Sequence, residues 1–332
     1  MKAPTNPKKS GEFEIIARYF APLAAGVPGA FGLKDDAAFL EIPEGHELVA
    51  KTDAAVATVH FMADDPPDLI ARKTLRRNLS DLAAKGAVPH WYLLDAAFPR
   101  DVGDAWIAGF ARGLARDQAE FGVHLVGGDT KSTPGPATFA ITLLGLVRAS
   151  WGLHRSGAHP GDELYVTGTI GDGALGLLAR KGELGGLKPK AREQLIDRYR
   201  LPRPRVAVGP QLLGVATAAI DVSDGLVADA GHISSQSKLA IVLEEKLLPL
   251  SAPAKAALAE TPALIERVLT GGDDYEILFT APASVAKVLE HLAGEMKVPI
   301  TRIGRTEAGK GVTVLDAAGR RRELAQAGWV HF

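Results

Sequence analysis

The chain has 332 residues, of which 46% are hydrophobic and 23% are charged, a composition typical of a globular protein of about two domains. The formal net charge of −1 gives no basic field that would attract nucleic acid. Because the sequence contains no cysteine, disulfides, thiolate metal sites, iron–sulfur clusters and thiol catalysis are excluded. The first residues lack the apolar core of a secretory signal, and no window reaches about 18 consecutive apolar residues. We therefore expect a soluble cytoplasmic protein without membrane partners.

The first half of the sequence predicts an alternation of helices and strands. Apolar residues at helical spacing predict a helix over 11–24. A strong helix is predicted over 64–89, with Asp65 as its cap and Gly86 at its end. A further helix is predicted over 104–122, and strands are predicted over 46–54, 123–130 and 137–147.

A turn-rich stretch near residue 150 separates this half from the next, where the pattern of strand, glycine turn and helix begins again. The segment 216–234 predicts a strand, a turn and a helix, and 263–282 predicts a helix, a glycine stop and a strand. We therefore predict an α/β protein with mixed sheets and two domains, 1–150 and 151–332.

The glycines at 171, 173 and 176 form a literal G-x-G-x-x-G after a predicted strand. A dinucleotide site also needs an acidic residue at the end of a second strand about 20 residues later. That region, 191–199, is polar and helical, so the glycines indicate a tight turn. The sequence also lacks G-K-[ST], the H-R-D and D-F-G motifs of protein kinases, and H-E-x-x-H.

Six aspartates lie beside small residues at predicted strand ends, turns and one helix face. They are Asp36, Asp53, Asp81, Asp129, Asp221 and Asp224. Each alone fits a helix cap or a solvated turn, as Asp224 does between Ser223 and Gly225. Together they offer hard oxygen ligands without cysteine or histidine, which suits Mg²⁺ serving bound phosphates. The set therefore predicts several Mg²⁺ ions with a nucleotide.

These aspartates belong to an ordered series of motifs that resembles the thiamine-monophosphate kinase family, in the superfamily typified by aminoimidazole ribonucleotide synthetase. The series reads KDDAA, TDAAVATVHF, NLSDLAAKGAVP, GGDT, RSGAHPGDELYVTGTIGD, IDVSDGL, GGDDYE and GWVHF. The resemblance runs from about residue 11 to the C-terminus. Single motifs such as GGDT are weak, but the ordered set is specific.

The resemblance implies ATP-dependent phosphorylation of thiamine monophosphate to thiamine diphosphate, by direct transfer without a phosphoenzyme. It implies a two-domain fold like that of aminoimidazole ribonucleotide synthetase, in which the first domain binds ATP and Mg²⁺ and forms a homodimer. The second domain completes the active site. The acceptor phosphate is already ionised, so positioning and charge neutralisation can supply the catalysis.

The resemblance also implies residue roles, with no catalytic residue separate from the metal ligands. The implied Mg²⁺ ligands are Asp36, Thr52, Asp53, Asp81, Asp129, Asp221 and Asp224. The implied ATP contacts are Gly128, Asp129, Arg155 and Ser223. The implied contacts to thiamine monophosphate are His60, Asp273 and Trp329.

Several positions depart from the family pattern or allow another interpretation. Lys51 stands where a small hydroxyl residue is more usual, next to an implied metal contact, and Asp273 stands where some members of the family have glutamate. A packed histidine, a surface ion pair and a tryptophan that pins the last strand are the other interpretations of His60, Arg155 and Trp329.

Three related enzymes and one binding protein are the alternatives. Aminoimidazole ribonucleotide synthetase, selenophosphate synthetase and the hydrogenase-maturation dehydratase share the superfamily. The absence of cysteine argues against the last and against most selenophosphate synthetases. A Mg²⁺–nucleotide sensor without catalysis is the fourth alternative, and retention of the whole acidic set argues against it.

Overall fold

A computed structural model describes residues 10–328, and these divide into two compact units. The first unit contains the described residues up to Leu82 together with Val88–Ala149. The second contains Ala83–Ala87 and the described residues from Ser150 onward. Each unit is built around its own sheet, and the two sheets differ in size and strand order. The predicted mixed α/β class is confirmed.

The first unit has a four-stranded sheet with two long helices on one face. Its strands are β1 (His46–Val56), β2 (Val88–Pro99), β3 (His124–Thr133) and β4 (Thr138–Arg148), in the order β1-β4-β2-β3. Its helices are α1 (Glu12–Ile15), α2 (Pro67–Ala84) and α3 (Asp104–Phe121). Phe110 of α3 lies on Phe139 of β4 with ring centroids 4.4 Å apart. The helices therefore cover one face, and the alternate residues Thr142 and Leu144 of β4 remain half-exposed on the other.

The N-terminal segment is helical but irregular. The predicted helix over 11–24 contains α1, a π-helical turn over Ile16–Phe20 and a 3₁₀ turn over Ala21–Ala24. Pro22 lies in the last turn and lacks a backbone N–H, which prevents continuation of a regular α-helix.

Strand β2 was not predicted. The helix predicted over 64–89 is too long at its C-terminal end. Helix α2 ends at Ala84, and Gly86 adopts a left-handed φ of 70°. β2 then begins at Val88 and pairs with both β3 and β4 in the middle of the sheet. The predicted strands β1, β3 and β4 and the helix α3 are confirmed, with ends that differ by up to three residues.

The second unit has a six-stranded sheet in the order β10-β7-β9-β5-β8-β6. The strands are β5 (Glu163–Thr167), β6 (Ala218–Asp221), β7 (Ala240–Glu244), β8 (Ile277–Ala281), β9 (Ile300–Glu307) and β10 (Gly311–Leu315). The helices are α4 (Asp172–Arg180), α5 (Pro189–Arg200), α6 (Leu226–Ser237), α7 (Ala252–Glu260), α8 (Ile265–Thr270) and α9 (Ala286–Met296). Separate apolar clusters, one with Leu164 and Val166 and one with Tyr165, pack on the two faces of β5.

One edge of this sheet joins the end of β6 to the start of β8. Asp221, the last residue of β6, is paired with Ile277, the first residue of β8. The backbone N–H of Val222 then donates to the Glu276 carbonyl, and that of Tyr275 donates to the Val222 carbonyl. The two loops that carry Asp221 and Asp273 are therefore fixed side by side. Within residues 10–328, no helix has the length and apolarity needed to cross a membrane.

Candidate functional site

The first group of predicted ligands lies around β1 and the end of α2 in the N-terminal unit. Asp53 accepts a hydrogen bond from Arg77 of α2 at 2.8 Å and one from the backbone N–H of Ala54 at 2.8 Å. Asp81, on the same helix, lies 3.1 Å from the ammonium of Lys51. Both carboxylates are partly exposed. Each of the two carboxylates in this group is therefore paired with a cation of the protein.

Polar side chains with no charge complete this first group. The hydroxyl of Thr142 donates to the hydroxyl of Thr52 at 3.1 Å across the two strands. His60 accepts a hydrogen bond at Nδ1 from the backbone N–H of Val56, which fixes the ring. The buried Oδ1 of Asn78 on α2 has no hydrogen-bond partner among the described residues. An orphaned buried acceptor three residues from Asp81 points to a missing cation or donor here.

The second group lies on β3, at the other side of the sheet. Gly128 has a φ of 140°, and a Cβ added there would overlap the carbonyl oxygen of Leu94. Only glycine therefore fits against β2 at this position, and the residue is exposed and lines a cavity. Asp129 is exposed and lies 2.6 Å from the ammonium of Lys131, which also pairs with Asp95. The hydrogen bond from Lys131 holds the pKa of Asp129 below its usual range.

Asp36 belongs to this second group through a shared cavity. A cavity of about 130 Å³ is lined by Asp36, Gly128 and apolar side chains that include Phe20 and Leu33. Asp36 is exposed, and its backbone N–H donates to the carboxylate of Asp35 at 2.8 Å. A small cavity with one apolar wall and the two aspartates Asp35 and Asp36 is suited to part of a polar ligand.

The strand order separates the two groups. Asp53 of β1 pairs with Ile141 of β4, Ile141 pairs with Leu94 of β2, and Leu94 pairs with Gly128 of β3. Three strand spacings therefore lie between Asp53 and Gly128, which is about 14 Å. Among residues 10–328, no three carboxylate or histidine side chains are close enough to hold one metal ion. The structure thus brings the N-terminal ligands together in two groups and not in one cluster.

The predicted ligands of the C-terminal unit lie on the loop between β6 and α6. Asp221 is buried at the end of β6, and Ser223 and Asp224 follow it. The backbone N–H groups of Ser223, Asp224 and Gly225 all donate to Oδ2 of Asp229, at 3.0, 3.1 and 3.2 Å. A single buried carboxylate thereby fixes the backbone of the whole loop.

Asp229 is a functional candidate that the sequence analysis missed. It lies in the first turn of α6 and is only 1% exposed, so it cannot contact a ligand that binds from solvent. Burial raises the pKa of Asp229 well above its usual value, and the neighbouring Asp221 and Asp224 raise it further. The available signal was an acidic residue four positions after Gly225, where a first-turn carboxylate can reach back to free N–H groups.

Asp273 is held next to this loop by hydrogen bonds, in a strained backbone conformation. It adopts a left-handed φ of 69°, which is uncommon for a residue other than glycine. Its N–H donates to the carbonyl of Ser223 at 3.0 Å, and the hydroxyl of Tyr275 donates to its carboxylate at 2.8 Å. The backbone of Asp273 is therefore fixed beside Ser223, and its carboxylate is fixed by Tyr275.

Asp274 gives a structural role to the glycines of the rejected dinucleotide motif. Its two carboxylate oxygens accept the backbone N–H groups of Gly171 and Gly173, at 2.7 and 3.0 Å. Burial nevertheless raises its pKa to about 8, against the lowering effect of these two hydrogen bonds. The glycine turn thus binds a carboxyl group of the protein itself, which agrees with the interpretation as a tight turn.

The two remaining predicted residues are Arg155, which has no described contact with these loops, and Trp329. Arg155 is exposed, and its backbone carbonyl accepts a hydrogen bond from Ser237 at 3.1 Å. Trp329 lies outside the described residues. Its neighbour Gly328 packs so closely that an added Cβ would lie 2.8 Å from the carbonyl oxygen of Asp224.

The donor chemistry of the three carboxylate groups fits Mg²⁺. The candidate side chains are aspartates and a threonine, which offer the hard oxygen ligands that Mg²⁺ requires. Asp81 and Asp129 are paired with flexible lysines and Asp53 is paired with Arg77, and such partly exposed pairs are weak enough for a divalent ion to displace them.

Comparison with known proteins identifies related chains over nearly the whole length. Residues 34–147 match the family model for the AIR synthase related protein, N-terminal domain, and residues 159–317 match that for the C-terminal domain. The thiamine-monophosphate kinase of Caulobacter vibrioides is 43% identical over 323 residues, covering 96% of this chain and 90% of the relative.

Two solved structures are similar in fold. The thiamine-monophosphate kinase of Stenotrophomonas maltophilia has a TM-score of 0.78 and 39% identity, covering 85% of this chain and 89% of that one. A structure described as AaThiL complexed with AMPPCP and TMP has a TM-score of 0.78 and 31% identity, covering 97% of both chains.

Proposed function

Because the chain belongs to the thiamine-monophosphate kinase family, within the AIR synthase related proteins, we propose that it phosphorylates thiamine monophosphate with ATP. The products are thiamine diphosphate and ADP, and the reaction belongs to the synthesis of thiamine diphosphate. The observation that carries the proposal is the likeness over 97% of the chain to a structure in complex with AMPPCP and TMP. AMPPCP has the shape of ATP but a methylene group in place of the β–γ bridging oxygen.

The reaction needs positioning more than it needs a base. The attacking oxygen belongs to a phosphate that is ionised at neutral pH, so no side chain has to remove its proton. The cost lies in bringing two anions together, and this makes charge neutralisation the main task of the site. We propose direct transfer of the γ-phosphoryl group to this acceptor, with no phosphorylated residue on the enzyme.

Mg²⁺ would supply this neutralisation by binding the phosphate oxygens of ATP. We propose that several ions are held by Asp36, Thr52, Asp53, Asp81, Asp129, Asp221 and Asp224. Asp229 would act as a positioning residue, since its hydrogen bonds fix the loop that carries Asp224. The orphaned Oδ1 of Asn78 supports a cation near Asp81.

The two substrates would be held by different residues. We propose that Gly128, Asp129, Arg155 and Ser223 contact ATP, and the exposed backbone of Gly128 in the cavity wall supports close approach of a phosphate there. His60, Asp273 and Trp329 would contact thiamine monophosphate. In this assignment residues 1–150 bind ATP and Mg²⁺, and residues 151–332 complete the site in a cytoplasmic enzyme.

We propose that the enzyme is a homodimer formed through the N-terminal unit. The face of its sheet opposite the helices includes half-exposed Leu144, and Leu48 of β1 and Val88 of β2 are also exposed at 42% and 47%. The two carboxylate groups lie at opposite edges of this sheet, about 14 Å apart, so one copy cannot join them. A second copy packed on the open face would bring the Asp129 edge of one sheet towards the Asp53 edge of the other.

The test is steady-state turnover with MgATP and a panel of acceptors. We expect ADP and thiamine diphosphate from thiamine monophosphate, and little product from free thiamine or from the ribonucleotide substrate of aminoimidazole ribonucleotide synthetase. Equal activity on free thiamine, or no activity on thiamine monophosphate, would contradict the proposal. ATP binding without turnover on any acceptor would favour the non-catalytic sensor instead.

A further inference from the structure

A second cavity lies in the C-terminal unit, beyond the ends of β5 and β9. Its volume is about 440 Å³, within the size range of small-molecule sites. It is lined by Thr169, by the side chains of α5 and by the start of α7. None of the candidate residues Arg155, Asp221, Ser223, Asp224 and Asp273 lines it. The cavity is therefore separate from the carboxylate loop that the proposed kinase reaction uses in this unit.

The inner wall of the cavity is a neutralised ion-pair network. Arg205 holds Glu276 through two hydrogen bonds of 2.5 Å, and Arg198 reaches the same carboxylate at 3.1 Å. Glu276 is fully buried and Thr167 also donates to it, at 2.7 Å. Since both arginines are only 12–15% exposed, the network holds rigid guanidinium groups at the wall of the cavity.

Asp172 is the other carboxylate of this wall, and it is also engaged. Thr169 donates to one of its oxygens at 2.6 Å, and Ser251 donates to the other at 2.5 Å. Arg198 lies 3.8 Å from the first oxygen. The wall therefore pairs two arginines with two carboxylates, and it has little net charge of its own.

The rim of the cavity carries an excess of positive charge. Arg203 and Lys297 both line it and are exposed, and neither side chain has an ion pair or hydrogen bond to another residue of the described chain. Asp197 is the exposed carboxylate that lines the rim with them. Helix α7 also begins at the cavity, where its dipole favours an anion. Two unpartnered cations against one carboxylate leave the rim electropositive.

We propose that this cavity is a binding site for a small phosphorylated metabolite. A guanidinium and an ammonium at one rim suit a phosphate group, because Arg203 can bind two phosphate oxygens side by side and Lys297 adds a flexible point charge. A cavity of about 440 Å³ is larger than one phosphate requires, so it can also accept the organic part of the metabolite. Thr169 and Gln194 provide polar groups for that part.

The experiment uses pyrophosphate as the probe, titrated calorimetrically into the full chain at fixed ionic strength with EDTA present. Chelation of divalent metal prevents binding as a metal complex at the carboxylate loops. We expect saturable binding to the wild type and a loss of affinity of at least about tenfold in the variant Arg203→Ala/Lys297→Ala, which removes both charge-assisted contacts. Asp197→Asn should bind pyrophosphate about threefold more tightly, because it removes a repelling charge.

Two matched controls separate a site from general charge attraction. Lys255 on α7 and Lys310 between β9 and β10 are exposed lysines that do not line the cavity. Lys255→Ala and Lys310→Ala should bind pyrophosphate like the wild type. The absence of saturable binding to the wild type, unchanged affinity in the double variant, or an equal loss in the Lys310 control would each overturn the proposal. Arg203 and Lys297 are exposed, and unchanged thermal melts would verify that the double variant is folded.

Discussion

The ammonium of Lys51 lies 3.1 Å from Oδ1 of Asp81, so a cation of the protein sits beside a carboxylate that we assign to Mg²⁺. Their side chains are 35% and 21% exposed, and a pair of this kind contributes only about 0–1 kcal/mol in water. Lys51 is also the residue at which the sequence departs from the usual small hydroxyl. The ion pair therefore competes with the metal without excluding it.

Replacement of this lysine should increase the affinity for Mg²⁺. In Lys51→Met the apolar stem is kept and the positive charge next to Asp81 is removed. We expect the Mg²⁺ concentration for half-maximal turnover to fall by about threefold, the scale of one weak ion pair. The measurement is turnover against free Mg²⁺ at saturating ATP. Lys310→Met is the control, and a rise in the Mg²⁺ requirement would show that Lys51 helps the site.

Removal of single carboxylate charges should stop turnover without unfolding the protein. Asp129→Asn and Asp221→Asn keep the side-chain size but remove charges assigned to Mg²⁺. We expect each to lower kcat by at least about 10²-fold, the scale for lost transition-state stabilisation. Near-normal turnover in both variants would refute the metal assignment.

The same two variants should respond differently in thermal melts without metal. The negative charge of Asp221 disfavours ionisation of buried Asp229, so Asp221→Asn removes an unfavourable charge and should melt at the wild-type temperature or above it. Asp129 instead pairs with Lys131 at the surface, so Asp129→Asn should change the melting temperature little. A clear loss of stability in Asp221→Asn would contradict the proposed repulsion.

The sequence predicted the local parts of the site because they depend on short spacings. Asp221, Ser223 and Asp224 follow one strand directly, so any fold that keeps this strand and turn keeps them together. The separation of Asp53 from Asp129 could not be predicted in the same way. It depends on the strand order β1-β4-β2-β3, which is set by pairings between residues far apart in sequence.

The missed strand has a related cause. The helical pattern of α2 ends at Ala84, and the apolar residues after Gly86 extend the same hydrophobic run into β2. A short apolar run does not distinguish a buried strand from the end of a helix. Its identity comes from pairing with β4 on one side and β3 on the other.

Asp229 should act through the loop that it holds. Asp229→Leu removes the acceptor for three backbone N–H groups, so we expect kcat to fall by at least about tenfold, with weaker Mg²⁺ binding. Asp229→Asn retains a carbonyl oxygen, and its neutral side chain resembles the protonated acid favoured by the raised pKa. The Asn variant should therefore restore most of the activity lost in the Leu variant. Equal losses in both variants, matched by equal losses of melting temperature, would indicate a merely structural role.

Gly128 should tolerate no side chain. Its φ of 140° is unfavourable for alanine, and the added Cβ would overlap the backbone of β2 at Leu94. We expect Gly128→Ala to lose at least about 1–3 kcal/mol of stability and most ATP binding. Gly127→Ala is the matched control, because its Cβ would meet only the end of the flexible Leu93 side chain, at 2.9 Å. The measurements are urea unfolding and ATP titration of both variants. Equal losses in Gly127→Ala and Gly128→Ala would contradict the specific requirement for glycine at position 128.

The stability of the C-terminal unit should fall as pH rises, because of Asp274. The pKa of this carboxyl is about 8 in the folded protein against an ordinary value of 3.8, so the folded state retains a proton that the unfolded chain has lost. The stabilisation from this proton is complete below pH 4 and decreases as pH rises through 8. One such group contributes a slope of about −1.4 kcal/mol per pH unit in that interval.

The slope is measured by urea unfolding between pH 5 and 9 with EDTA present, in the wild type and in Asp274→Asn. The amide cannot titrate, so the free energy of unfolding of the variant should fall less steeply with pH, by about 1.4 kcal/mol per pH unit. It should also be less stable at low pH, because its NH₂ group faces an N–H donor at Gly171 or Gly173. Asp316→Asn is the control, since hydrogen bonds from Arg320 lower the pKa of Asp316 and keep its titration below this range. An identical slope in the wild type and in Asp274→Asn would show that Asp274 is ionised in the folded protein, held by its two N–H donors.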